Sequence, residues 1–256
     1  VLPERKPRGG LIVRSYTRTS GYGKVLDDLN GLMGWKCRMT ALGLLEEPGL
    51  LEEIRKHKDD ELFVNSPKFK ALVERALEAG GANVKSNRGT QVHKLTEFID
   101  QGLSVEGAPP DQLRDLDAYL LETMWHGLTD LAIESFVVCD ELKVAGTFDR
   151  LVEYKGKRYI ADLKTSSSVN YPHSWAVQLA VYSRSQLYDF ETHERTPLDV
   201  EQDRAILIHL PAGQARCDLY FIDINKGWQA ATELVPAVKA WRNDGDLLVP
   251  LEESHG

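Results

Sequence analysis

The chain has 256 residues, long enough to bury a substantial core as one large domain or as a core with an appended subdomain. A hydrophobic share of 42% with 27% charged residues describes an ordinary globular protein, and no apolar run approaches the roughly 18 residues of a membrane span. The formal charge of -8 argues against a protein that coats nucleic acid with its whole surface, but it leaves room for a local basic groove.

Along the chain, the N-terminus VLPERKPRGG lacks the apolar stretch of a signal peptide. Its first 24 residues carry Arg5, Lys6, Arg8, Arg14, Arg18 and Lys24 against the single acid Glu4. Such an arm is either a solvated terminus or a basic lip that guides a nucleic-acid strand. Residues 22–45 read as a helix through Leu26, Leu29, Leu32, Met33, Met39 and Leu42, weakened by Gly31 and Gly34. Pro48 starts a short helix that ends near His57. Ser66-Pro67 makes a helix entry that Gly80-Gly81 closes. Further helices are expected over 90–99 and from Pro110-Asp111 through Met124. From Leu131 the period changes to that of strands, over 131–139, 142–154 and 157–165. A helix over 172–188, strands over 204–210 and 217–224, and a last helix from about Lys226 complete the order. The expected fold is α/β, a central mixed sheet flanked by helices, with residues 1–85 as basic arm and helical region and 86–256 as the core. Cys37, Cys139 and Cys217 are widely separated. They supply no disulfide framework, structural zinc site or four-cysteine iron–sulfur cluster, and they suggest a reducing, cytoplasmic compartment.

The stretch GTFDRLVEYKGKRYIADLKTS, Gly146 to Ser166, carries the chemistry. Lys155-Gly156 suits a two-residue hairpin turn, which pairs residues whose numbers add to 311. Asp149 and Asp162 are then opposite one another, with Cβ atoms about 4.5–5.5 Å apart. Lys164 shares the face of Asp162, while Leu163 turns its side chain to the other face and keeps its carbonyl available as a ligand. Two acids and a lysine on one patch of sheet stabilise a fold poorly, but they suit a divalent metal and a phosphate.

Four other residues carry two readings each. Gln178 and Tyr182 share a helical face just after this hairpin. They either pack there or reach over the sheet edge to a scissile phosphate. His93 is either a polar helix residue or a further ligand for a manganese- or magnesium-like ion. Glu134 is either another acid near the metal or a strand-edge carboxylate. His126, His173, His193 and His209 show no partner spacing, and no zinc-protease, serine-hydrolase or nucleotide-loop motif is present.

Taken in order, His93, GTFD ending in Asp149, DLKT from Asp162 to Thr165, and QLAVY from Gln178 to Tyr182 resemble the PD-(D/E)xK nuclease superfamily, above all its RecB-type exonuclease branch. The likeness spans residues 86–190, and residues 1–85 match nothing nameable. It implies a restriction-endonuclease-like core and a metal-dependent DNA exonuclease of recombination, repair or phage DNA metabolism. An endonuclease of the same fold, and a non-cleaving nucleic-acid-binding module, are the alternatives. By the resemblance, Asp149, Asp162, the Leu163 carbonyl and His93 ligate magnesium or manganese. Lys164 orients or deprotonates the attacking water, Gln178 and Tyr182 position the strand, and Arg14, Arg18 and Lys24 contact DNA. DNA ends or single strands, a recombination protein or a second copy of the chain are the implied partners, with no membrane. The compartment is the cytoplasm, that of a host if the chain is phage-encoded.

Overall fold

A computed structural model of the chain describes residues 2–5 and 11–245. The elements in order are strands β1 (Leu2–Arg5), β2 (Leu11–Arg14) and β3 (Thr17–Arg18), then α1 (Thr19–Tyr22) and a 3-10 turn, Gly23–Leu26. Helices α2 (Asn30–Glu46), α3 (Pro48–Lys56), α4 (Glu61–Val64), α5 (Pro67–Ala79), α6 (Ala82–Asp100) and α7 (Pro110–His126) follow. Next come β4 (Thr129–Cys139), β5 (Val144–Tyr154), β6 (Lys157–Lys164), α8 (Pro172–Ser183), β7 (Gln186–Tyr188), β8 (Arg195–Pro197), β9 (Arg204–His209) and β10 (Asp218–Asp223). The last segment is α9 (Ile224–Gln229), a π-helical stretch Ala230–Leu234, and α10 (Val235–Arg242).

The hairpin has the register read from the sequence. Lys155 and Gly156 both take positive φ, 51° and 74°, as a type I′ turn requires. Pairs run from Tyr154↔Lys157 to Arg150↔Ala161. The sheet grows from this hairpin in the order β10-β9-β6-β5-β4-β7-β8, with β3 added to β5. It is mixed, because β6 runs parallel to β9 and β3 parallel to β5 while the other neighbours are antiparallel. Each face is covered. Val92 of α6 and Tyr119 of α7 pack on Val152, Tyr159, Ala161, Leu163, Ile206 and Ile208. Leu179, Ala180 and Tyr182 of α8 pack with Ile160, Ala205 and Ile224 on the other side. The architecture is the expected α/β one.

Several boundaries differ from the sequence reading, each for a local reason. The basic arm contains short strands, with β1 pairing β2 and Thr17 and Arg18 joining the main sheet beside Val144 and Ala145. Their period is too short to register as a pattern. Residues 23–26 form a 3-10 turn, and the helix proper begins only at Asn30. Helix α6 starts eight residues before the expected Thr90, capped by Gly81 in the left-handed conformation. Helix α8 stops at Ser183, so Tyr188 lies in an unexpected strand that joins the sheet through β4, distant in sequence, and pairs with the nearby β8.

In the N-terminal region, α2 crosses α5 backbone to backbone. A Cβ on Gly43 would lie 1.7 Å from the Ala76 carbonyl oxygen, and one on Gly80 would lie 1.9 Å from that of Met39. No side-chain rotation relieves either overlap, so substitution must separate the helices. Gly43→Ala is expected to cost about 1–3 kcal/mol, lowering the thermal midpoint by roughly 2–4 °C per kcal/mol in scanning calorimetry.

Candidate active site

The site lies where the hairpin opens. β4 follows one edge of β5 from Val144 to Glu153. On the opposite edge β6 pairs from Arg150 onward, and β3 pairs only Val144 and Ala145. Among the described residues, 146–149 therefore have no strand partner on that edge. Side-chain alternation breaks at the same place. Phe148 meets Tyr182 of α8, whereas Arg150 lies on Tyr119 of α7, on the other layer. Residues two apart on a regular strand would share a face. Glu134 falls opposite Asp149, between the pairs Ile133↔Arg150 and Ser135↔Phe148, and its φ of 48° is that of a local distortion. The irregularity aims Asp149 into the seam between α6 and β6.

Asp149 Oδ2 accepts a hydrogen bond from the Leu163 amide at 2.9 Å and lies 2.9 Å from His93 Nε2. His93 Nδ1 lies 2.9 Å from Glu97. With a carboxylate at each ring nitrogen, His93 is placed to donate twice, as an imidazolium. Burial opposes that charge, but the hydrogen bond and charge of Asp149 outweigh it, and the pKa rises. Asp149 shows the reverse balance: burial favours its neutral form, yet His93, Lys164 and the Leu163 amide hold its pKa below the ordinary value. Asp162 is buried, with Oδ1 accepting from Gln178 Nε2 at 3.3 Å and Oδ2 lying 2.6 Å from Lys164 Nζ. Burial and then the charge of Asp149 raise its pKa. Lys164 also lies 5.6 Å over the Trp175 ring.

The sequence-derived residues thus meet from four elements: His93 on α6, Asp149 on β5, Asp162, Leu163 and Lys164 on β6, and Gln178 on α8. Tyr182 is buried beside Gly146, where a Cβ would lie 3.2 Å from its hydroxyl, and burial raises its pKa. Glu134 reaches solvent. Even so, lost hydration and then the charges of Asp149 and Glu97 push its carboxyl up to about 7. Of the basic candidates, Arg18 shares an open pocket with Asp149, Gln178 and Tyr182. Arg14 lies in β2 opposite Leu2 and Lys24 is exposed on the 3-10 turn; neither lines that pocket. Lys6 and Arg8 lie outside the described residues. Sequence reading missed Glu97 and Trp175. Their signal was spacing: Glu97 is four residues after His93, and Trp175 is three before Gln178.

No protein-family model matches the chain, and no curated protein matches it. A solved structure described as "Crystal structure of SSO0001" aligns over 50% of this chain and 61% of its own, at 17% identity and a TM-score of 0.25. At that TM-score the match bears on neither fold nor function.

A hard divalent cation suits the oxygen donors present. Asp162 Oδ2 is buried and, ion pair aside, receives no hydrogen bond. The Leu163 amide faces Asp149, and in an extended strand the carbonyl of a residue leaves by the same edge as its amide. The neighbouring Lys164 carbonyl instead accepts from Leu210, toward β9. Among the described residues no three His, Cys, Asp or Glu side chains form a ready-made cage, since His93 Nε2 is turned onto Asp149.

A buried clamp underlies this arrangement. Arg150 is fully buried, 2.6 Å from Asp100 through one terminal nitrogen, and it donates to Thr96 Oγ1 at 2.8 Å. Thr96 in turn donates to the His93 carbonyl at 2.7 Å, and Tyr119 donates to Asp100 at 2.7 Å. The clamp locks the His93 turn of α6 onto the strand that carries Asp149. Arg150→Met leaves Asp100 buried without its cation and is expected to cost about 3–5 kcal/mol in urea unfolding. The pH dependence has a defined sign. Glu134 and His93 both hold protons more tightly when folded, so in metal-free protein their contributions favour folding at low pH; that of Glu134 fades as pH rises from about 4.5 through about 7, and that of His93 fades only above 6.5. Asp149, lowered from 3.8, acts only in more acid solution. Metal-free stability should therefore fall between pH 5 and 8, and Glu134→Gln should flatten part of that slope in denaturant titrations.

Proposed function

We infer that this chain is a metal-dependent DNA nuclease of the PD-(D/E)xK type, acting as an exonuclease on ends or single strands. The observation that carries the reading is the convergence of Asp149, Asp162, Lys164, His93 and Gln178 from separate elements at the one place where the hairpin opens. A structural ion pair explains Lys164 and Asp162 alone. It does not explain a second, part-buried carboxylate, a histidine bridging to it and a glutamine from the facing helix.

Asp149, Asp162 and the Leu163 carbonyl would hold magnesium or manganese, with His93 as the further candidate ligand. When bound, such an ion offers phosphate oxygens a Lewis acid and lowers the pKa of water. The remaining chemistry belongs to the side chains. Lys164 places a cation where negative charge grows on the phosphate, an interaction that accelerates hydrolysis only if it is stronger in the transition state. Trp175 beneath its ammonium and Asp162 beside it restrict where that cation sits. Gln178 holds Asp162 and faces the same pocket as Arg18, so it is placed to orient the strand. In hydrolysis the water oxygen bonds to phosphorus, the ester P–O bond breaks, and the departing oxygen takes a proton.

The test is incubation of the purified protein with linear and closed-circular, single- and double-stranded DNA, with manganese or with chelator. Degradation confined to linear substrates and to manganese is expected, falling at least 100-fold in Asp162→Ala and in Lys164→Ala. Cutting of closed circles identifies an endonuclease. Binding without cleavage under every metal condition contradicts the enzymatic reading.

A further inference from the structure

Beyond Asp149, the unpaired edge of β5 opens into a pocket of about 450 Å³ whose far end is built by the N-terminal arm. Thr147 and Gly146 line it along that open edge, Ala145 lines it where β3 pairs, and Leu2, Tyr16 and Arg18 come from the arm. Ala145 lies four residues from Asp149, roughly 13 Å at strand rise. Two observations mark the arm as a fixed wall and not a swinging flap. Thr17 and Arg18 pair with Val144 and Ala145 in the main sheet, and the Thr17 amide donates to Lys143 at 2.8 Å. Tyr16 donates to Asp140, whose other oxygen lies 2.6 Å from Arg195, while Tyr188 donates to the Pro3 carbonyl at 3.0 Å. The lining is divided in character. Leu2, Tyr16, Phe136 and Ala145 give an apolar part, and Thr17, Ser20, Thr147 and Arg18 give hydroxyls and a guanidinium.

We propose that this pocket seats the terminal nucleotide of the substrate strand, and that the arm, held by Tyr16, blocks passage of a longer strand beyond it. The volume lies within the range of pockets for single small molecules, and the wall set by β3 and Tyr16 closes the end away from Asp149. Its two-part lining matches a nucleotide, with base against the apolar wall and sugar and phosphate toward the hydroxyls and Arg18. A strand bound this way is cut near its end, so Leu2, Tyr16 and Arg18 set the length of product. The proposal rests on the nuclease reading for its cleavage arm but not for its binding arm.

Two measurements test it. Thymidine monophosphate, as its 5′ and its 3′ ester, is titrated into metal-free protein by calorimetry or NMR. Binding of one ester is expected, weakened at least ten-fold in Tyr16→Ala and by less in Tyr16→Phe, which keeps the ring but loses the hydrogen bond to Asp140. Products from a labelled linear single strand with manganese are then sized. Wild type should release mononucleotides, whereas Tyr16→Ala should release products of two or more nucleotides and should begin to nick closed-circular single strands. Nucleotide binding without cleavage by wild type supports the pocket and contradicts the nuclease reading. Cleavage to long products by wild type, or no binding of either ester, overturns the pocket while leaving the nuclease reading to stand on its own test. Wild-type behaviour of Tyr16→Ala in both measurements overturns it as well.

Discussion

The structure depends on a controlled failure of strand pairing. A β-hairpin gains stability from each ladder step, and β5 and β6 stop pairing after Arg150↔Ala161. Beyond that point Asp149 satisfies the Leu163 amide with its side chain in place of a backbone carbonyl. The substitution costs a ladder bond and buries a charge, and the surrounding elements offset it. His93, Lys164 and the Leu163 amide stabilise the Asp149 carboxylate, and Arg150, one residue on, ties the same stretch of strand to α6 and α7. A strand opened in this way exposes backbone and carboxylate oxygens along one edge, which an intact sheet would keep paired.

The two layers of helices divide the work. Helix α6 brings His93 and Glu97 to one side of the seam and is fixed by Thr96 and Asp100 on the next turn of the same face. Gly89 lets that helix come close to β6, since a Cβ there would lie 2.5 Å from Thr165 Oγ1. Helix α8 brings Gln178 to Asp162 and Trp175 to Lys164 from the opposite layer. Neither layer holds the site alone. Electrostatically the cluster is uneasy without a cation: Asp162 and Glu134 resist ionisation, and each is affected by the charge on Asp149. Positions where several acids crowd beyond what stability asks are candidate functional sites for that reason.

Much of this was legible in local sequence. The Lys155-Gly156 turn set the register, and the alternation of Tyr159, Ile160, Ala161, Asp162, Leu163 and Lys164 assigned faces along β6. Ser66-Pro67 located the start of α5, where Ser66 accepts from the Phe69 amide. What escaped depended on distant partners. Strict alternation would place Asp149 squarely opposite Asp162, but the break between Phe148 and Arg150 turns it toward α6, and no local pattern encodes that roll. The β3 pairing and the Tyr16–Asp140 contact join residues more than a hundred positions apart, and Arg195 reaches Asp140 from a third part of the chain. The arm was legible as basic, but not as a wall.

In the proposed reading, Asp149, Asp162 and the Leu163 carbonyl are the ligands of a divalent cation. The most direct measurement is anomalous scattering at the manganese edge from crystals soaked in Mn2+. A peak bounded by those three groups, absent from crystals of Asp162→Asn, is the predicted result. A manganese-soaked crystal with no peak there, or with ordered manganese only elsewhere on the molecule, would contradict the account.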